Sequence, residues 1–190
     1  MPRVRTFLAI DLGEAVRDRL VSLQAELTTV AAEVNWVEPV NMHLTLFFLG
    51  EVQQRETLDI CRAAQKAIAK MPAFHMNVEG AGCFPNARRP RTLWVGIGAG
   101  SEEVCAVHDA IEAPLLDMGS YRRETRAYVP HVTLGRVKAD QDNDELAKAL
   151  LNLKTWSAGE TQVREVCVMS SELTRDGPIY TVLGRAKLAP

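Results

Sequence analysis

Two tetrapeptides hold the residues best suited to chemistry in this chain: His43-Leu44-Thr45-Leu46 and His131-Val132-Thr133-Leu134. Each sets a histidine and a threonine two positions apart within an apolar run, and on an extended strand that spacing aims both polar side chains at one face. With four histidines in 190 residues, chance would supply two such pairs about once in a thousand sequences of this composition, before allowance for other patterns. Imidazole gives or takes a proton near neutral pH, so two of them can act as acid and base in one reaction. A hydroxyl beside each can donate a hydrogen bond to a nonbridging oxygen on which negative charge builds up. Phosphoryl chemistry on a diester needs those parts. Neither motif carries a serine elbow or a nearby acid, so an Asp-His-serine arrangement is not indicated. Metal catalysis is the competing reading of paired histidines, but two of them fill half of a tetrahedral zinc shell and no local ligand completes it. A lone strand histidine is usually a surface or satisfied core residue; His75 and His108, which lack the threonine, keep that reading.

The elements that must carry these residues follow from periodicity. Val4 to Leu12 reads as a largely buried strand, and Glu14 to Thr29 as a helix with Val16, Leu20, Leu23 and Leu27 on one face. Asn35 to Val37 is extended, Pro39 breaks the chain, and His43 to Leu49 forms the next strand. Arg55 to Lys70 is helical with a stripe of Leu58, Cys61, Ala64, Ile68 and Met71, Phe74 to Val78 is a strand, and Gly80 to Asn86 is loop. Then the order restarts. Arg91-Thr92-Leu93-Trp94-Val95-Gly96-Ile97-Gly98 echoes Arg5-Thr6-Phe7-Leu8-Ala9-Ile10-Asp11-Leu12, followed by a helix from Glu102 to Met118 and the second motif. Beyond it come a polar loop at Ala139 to Asn143, a helix from Glu145 to Leu153, a strand from Val163 to Met169 and a strand-like tail from Pro178 to Leu188.

A repeat with a period near 87 residues is too long for a solenoid and signals two similar lobes. Strands and helices do not alternate as in a parallel sheet, so the class is α+β: two pseudo-symmetric lobes with antiparallel or mixed sheets facing a central cleft, helices on the outer faces. The organisation is a single bilobal domain over 1–190, with duplicated halves of roughly 1–80 and 91–170 and a C-terminal strand at 178–188. A pseudo-twofold axis would bring His43 and His131 to opposite sides of the cleft.

Bulk composition narrows the class further. At 47% apolar residues the chain can bury a sizeable core. A net charge of −2 gives no global basic field, so an anionic substrate needs local groups. Arginines gather at Arg88, Arg89 and Arg91 and at Arg122, Arg123 and Arg126, where solvated surface is the ordinary explanation. Cys61, Cys83, Cys105 and Cys167 have no metal or redox spacing and are expected to be free thiols. Without a signal-peptide core or a membrane-length apolar run, the expectation is a soluble cytoplasmic protein.

The residues around the motifs, Asn41-Met42-His43-Leu44-Thr45-Leu46-Phe47-Phe48-Leu49-Gly50 and Pro130-His131-Val132-Thr133-Leu134-Gly135-Arg136, together with Arg5 to Ile10, Gly82-Cys83-Phe84-Pro85 and Pro90 to Gly96, resemble the two-histidine phosphoesterase superfamily. Within it they are similar to the RNA 2′,3′-cyclic phosphodiesterases, also called 2′-5′ RNA ligases. The resemblance implies hydrolysis of a 2′,3′-cyclic phosphate at an RNA end to a 2′-phosphomonoester, without metal or other cofactor, with reversible 2′-5′ RNA ligation as a companion reaction. It implies His43 as proton donor to the departing oxygen, His131 as base, and Thr45, Thr133 and Arg136 as phosphate contacts. Strict alternation puts Arg136 on the face opposite His131, so its role requires a bulge, a strand end or a long reach. Phe48 stands at the matching position of the first motif, where core packing is favoured over stacking on a base. Phe48, Arg91, Arg126 and Tyr128 are the candidate RNA contacts. The implied partners are RNA or oligonucleotide ends, tRNA fragments among them, met by a monomer away from membranes. A non-catalytic module that captures nucleotides through the same motifs is the alternative.

Overall fold

A computed structural model describes residues 2–30, 33–123, 125–138, 144–175 and 177–190. The element order is β1 (Arg3–Asp11), α1 (Glu14–Thr28), β2 (Val34–Trp36), β3 (His43–Gln53), α2 (Thr57–Ile68), β4 (Phe74–Phe84), β5 (Thr92–Ile97), α3 (Ser101–Asp117), β6 (His131–Val137), α4 (Asp144–Asn152), β7 (Ser157–Val163), β8 (Glu165–Thr174) and β9 (Gly177–Lys187). The α+β class holds, and the two lobes are halves of one nine-stranded sheet in the order β7-β4-β5-β6-β3-β1-β8-β9, with β2 beside β6. Every pairing between these strands is antiparallel. The halves meet where Leu44 on β3 pairs with Val132 on β6.

The halves of the sheet are not the halves of the chain. β4 leaves the first half of the sequence to lie between β5 and β7, while β8 and β9 cross back to lie beside β1. Several local readings change accordingly. The stretch from Gly80, read as loop, continues β4 to Phe84, because a register shift between Glu79 and Ala81 carries the strand through. Gly80 sits at that shift with φ of 74°, a conformation costly for any residue with a Cβ. The strand expected from Val163 to Met169 straddles the turn between β7 and β8. On α2 the buried stripe is Ile60, Ala64 and Ile68. Leu58 points outward at 55% exposure, since two residues along a helix turn the side chain to another face. The polar loop expected at 139–143 lies outside the described residues.

The core explains why one face stays open. Leu8, Ile10, Leu44, Leu46, Val132 and Leu134 from the strands join Leu20, Leu23, Ile60, Val107 and Leu150 from the helices in one buried cluster. Alternation then sends His43, Thr45, His131 and Thr133 to the opposite face. No helix is long and apolar enough to cross a membrane among the described residues, and all four cysteines are free.

Candidate active site

Both histidines stand at the first residue of their strands, β3 and β6. From the Leu44–Val132 pair, antiparallel alternation sets His43 opposite Thr133 and Thr45 opposite His131. The four polar side chains therefore form a two-by-two patch at the junction of the lobes.

Each imidazole is held in the same way. His43 Nδ1 lies 2.7 Å from the carbonyl oxygen of Asn41 and His131 Nδ1 lies 2.7 Å from that of Val129. A carbonyl only accepts, so Nδ1 carries the proton in both rings and Nε2 is left for chemistry. Asn41 is itself anchored, its amide donating to the carbonyl of Pro178 at 3.0 Å, so the C-terminal strand β9 helps to fix His43. Surroundings differ between the two. His43 stacks on Phe7 at 4.9 Å and meets the edge of Tyr180 at 5.4 Å, with Asp11 as its register partner on β1. Burial in this setting lowers the His43 pKa, against the Asn41 carbonyl and the Asp11 charge, which raise it. His131 meets Phe84 edge-on at 5.2 Å and Trp94 at 6.2 Å, with Gly96 as its register partner on β5.

Both strands bulge at the same place in the motif. Opposite β1, Leu8 pairs with Phe47 and Ala9 with Thr45, leaving Leu46 extra. Opposite β5, Leu93 pairs with Gly135 and Trp94 with Thr133, leaving Leu134 extra. A one-residue bulge reverses which face the following side chains reach, so Phe48 and Arg136 return to the histidine face. The consecutive burial of Leu46 with Phe47 and of Leu134 with Gly135 records that reversal. This is the bulge that the phosphate contact expected of Arg136 would require. Phe48 departs from the core packing favoured for it: it is 50% exposed, with its ring 5.7 Å from that of Phe7.

Each bulge has its own brace. The carbonyl of Leu134 accepts from Val37 N and from Gln24 Nε2, both at 2.9 Å, and Gln24 also donates to the Val37 carbonyl at 2.9 Å. Gln24 is a buried polar residue on α1, so losing these bonds would strand an amide in the core. Gly135 lets β2 pass, since a Cβ there would come within 2.6 Å of Val34. On the first motif, Tyr128 donates from its hydroxyl to the Thr45 carbonyl at 2.9 Å and lies flat on His108 at 4.1 Å, whose other neighbour is Phe47 at 4.4 Å. Burial pushes the Tyr128 phenol strongly up, which keeps it a donor.

The structure brings the sequence-predicted histidines and threonines together and turns Arg136 to their face; sequence reasoning gave no place to Phe7, Asp11 and Tyr180 around His43, or to Phe84 and Trp94 around His131. Tyr180 also lies within the field of Arg5 and Arg136, whose charges pull its phenol down against the upward push of burial. Strand phase alone could have flagged Arg5 and Phe7, two apart on β1. Nothing in the tail pointed to Tyr180. Of the arginine clusters, Arg123 is bound to Glu112 through two hydrogen bonds, while Arg91 and Arg126 are exposed. The backbone of Arg91 accepts from Val137 N at 3.0 Å, beside Arg136. His75 is exposed. Among the described residues no group of three His, Cys, Asp or Glu side chains is placed to hold a metal ion.

Residues 21–175 match the model of the 2′-5′ RNA ligase superfamily. The chain belongs to that family. It is 37% identical over 179 residues to the RNA 2′,3′-cyclic phosphodiesterase of Methanothermobacter thermautotrophicus, covering 94% of this chain and 96% of that one. It is 30% identical to the enzyme of the same name from Aquifex aeolicus, with 96% of each covered. Among solved structures it is similar to a Thermus thermophilus protein, TT0787, with a TM-score of 0.81, 28% identity and 97% of each chain covered. The E. coli LigT structure with 3′-AMP shares the fold, with a TM-score of 0.76 at 23% identity over 100% of each chain. The chain is an enzyme of this phosphoesterase family.

Proposed function

We propose that the enzyme hydrolyses the 2′,3′-cyclic phosphate at an RNA end to a 2′-phosphomonoester by acid-base catalysis between His43 and His131, with no metal in the reaction. The observation that carries this reading is the matched pair of Nδ1 hydrogen bonds at 2.7 Å, which leaves two Nε2 atoms free on one face. His131 Nε2 takes a proton from water as its oxygen bonds to phosphorus, and the bond from phosphorus to the 3′ oxygen breaks. His43, protonated at Nε2, gives that oxygen its proton. Thr45, Thr133 and Arg136 steady the nonbridging oxygens, where charge builds up in the transition state. With the 5′-hydroxyl of a second RNA end in place of water, the same ring opening gives 2′-5′ ligation: His131 takes the hydroxyl proton as its oxygen bonds to phosphorus, and His43 protonates the departing 3′ oxygen.

The activity named for the archaeal and bacterial relatives supports the choice of substrate. Phe48, Arg91 and Arg126, exposed near or beyond the motif strands, are proposed to contact the RNA, whereas Tyr128 acts through the Thr45 carbonyl. One copy carries both histidines, so a monomer suffices. The test is incubation with an oligonucleotide ending in a 2′,3′-cyclic phosphate, in excess chelator. A 2′-phosphate product is expected. An unchanged end with retained binding would replace the reading by the non-catalytic module, and activity restored only by added metal would overturn the metal-free step.

A further inference from the structure

Two neighbours of His131, Trp94 and Gly96, line an open cavity of about 610 Å³ that His131 itself does not line, within the range of small-molecule sites. Its floor is short of side chains: Gly82, Gly96 and Gly98 line it, and Gly96 is the register partner of His131. Two of these glycines are required by what lies on them. A Cβ at position 82 would come within 2.5 Å of the six-membered ring of Trp94, and one at position 98 within 1.9 Å of Glu79 Oε1. The indole and the carboxylate thus lie against bare backbone, both on the cavity wall. Trp94 Nε1 is buried without a hydrogen-bond partner, so packing against Gly82 and Phe84, 5.1 Å away, sets the ring's plane. The remaining wall is apolar, formed by Leu150 and Leu151 of α4, with Lys154 also lining it.

A flat aromatic ring is a platform for a nucleobase, and stacking alone accepts any base. Glu79 supplies discrimination. An ionised carboxylate only accepts hydrogen bonds. Asn77 donates to one of its oxygens, which leaves Oε1 and the spare lone pairs of Oε2 for a ligand. Guanine presents two adjacent N–H donors, N1–H and the N2 amino group, on one edge. Adenine and cytosine present one exocyclic amino group there, and uracil one N–H between two carbonyls that a carboxylate repels. The Trp94 and His131 rings are 6.2 Å apart, comparable to the reach from a base to the phosphate of its own ribose.

We infer that this cavity is a base subsite selective for guanine, which stacks on Trp94 and pairs its N1–H and N2–H edge with the Glu79 carboxylate. The inference rests on the phosphodiesterase reading for its place beside the reacting phosphate. Its test does not need turnover. Titration with guanosine and adenosine 2′-monophosphates, followed by tryptophan fluorescence, should show guanosine binding at least about tenfold more tightly. The quenching should disappear in Trp94→Phe, which leaves Trp36 and Trp156 as the remaining tryptophans. Glu79→Gln should bring the guanosine-to-adenosine ratio to near unity or below. Equal binding of the two nucleotides by the unaltered enzyme, or a guanosine preference that survives Glu79→Gln, would overturn the subsite. Hydrolysis of the four 2′,3′-cyclic mononucleotides separates the two readings. Turnover of all four at equal kcat/KM overturns only the subsite, while absence of turnover with guanosine selectivity intact overturns only the phosphodiesterase reading.

Discussion

His43 stands between Phe7 and Tyr180 with Asp11 across the strand, whereas His131 stands against Phe84 and Trp94 with Gly96 across the strand. The proton apparatus is the same in both, an imidazole tied through Nδ1 to the carbonyl two residues earlier. What differs is the wall around each ring. Each ring has two aromatic neighbours, but across the strand His43 faces a carboxylate and His131 faces bare glycine backbone beside a cavity. The two motifs supply the pair, and the difference between the walls would give the proposed acid and base a means to differ, because environment moves the pKa of chemically identical groups.

The bluntest way to break the comparison is to remove one ring at a time. His43→Ala and His131→Ala should each lower kcat by about 10²–10⁴-fold, with circular dichroism unchanged. A folded variant with full turnover would end the two-histidine mechanism. A sharper contrast uses the positions five residues after each histidine, both turned to the open face by a bulge. Arg136→Ala removes a charge-assisted phosphate contact and should cost about 10–100-fold in kcat/KM, while Phe48→Ala should cost less than about tenfold, mostly in KM. If the Leu134 bulge is what aims Arg136, Gln24→Leu should reproduce part of that loss, and the double variant should be no slower than Arg136→Ala alone. The smallest effect concerns pH. Burial lowers the His43 pKa below its ordinary 6.5, and Asp11 opposes that shift. As the acid, His43 must be protonated, so kcat/KM should fall as pH rises through that lowered value. Asp11→Asn removes the opposing charge and should move the falling limb to still lower pH. Movement of the rising limb instead would make His43 the base.

Much of this architecture is visible in the sequence because burial writes periodicity. Leu20, Leu23 and Leu27 mark α1, and the echo of Arg5 to Leu12 in Arg91 to Gly98 marks the second lobe. The bulges are where that reading fails. Alternation assumes one residue opposite one residue, and the extra Leu46 and Leu134 look like any other apolar strand residue, so alternation places Phe48 inside and Arg136 on the wrong face. Gly80 hides the second half of β4 in the same way, since a glycine at a register shift resembles a turn. Partners contributed by distant strands leave no local trace. Tyr180 reaches His43 only because β9 returns beside β8, and Glu79 meets Gly98 only because β4 crosses to β5.

That crossing has a mechanical consequence. Cutting the chain between Phe84 and Arg91 would not release a lobe, because each fragment would lack strands that the other supplies: β4 for one sheet half, β8 and β9 for the other. A lone half-chain would expose unpaired strand edges and meet its complement most readily in a second fragment. The two lobes are therefore interlocked, and heating should melt them in a single transition, with the histidines losing their alignment only when the whole sheet opens.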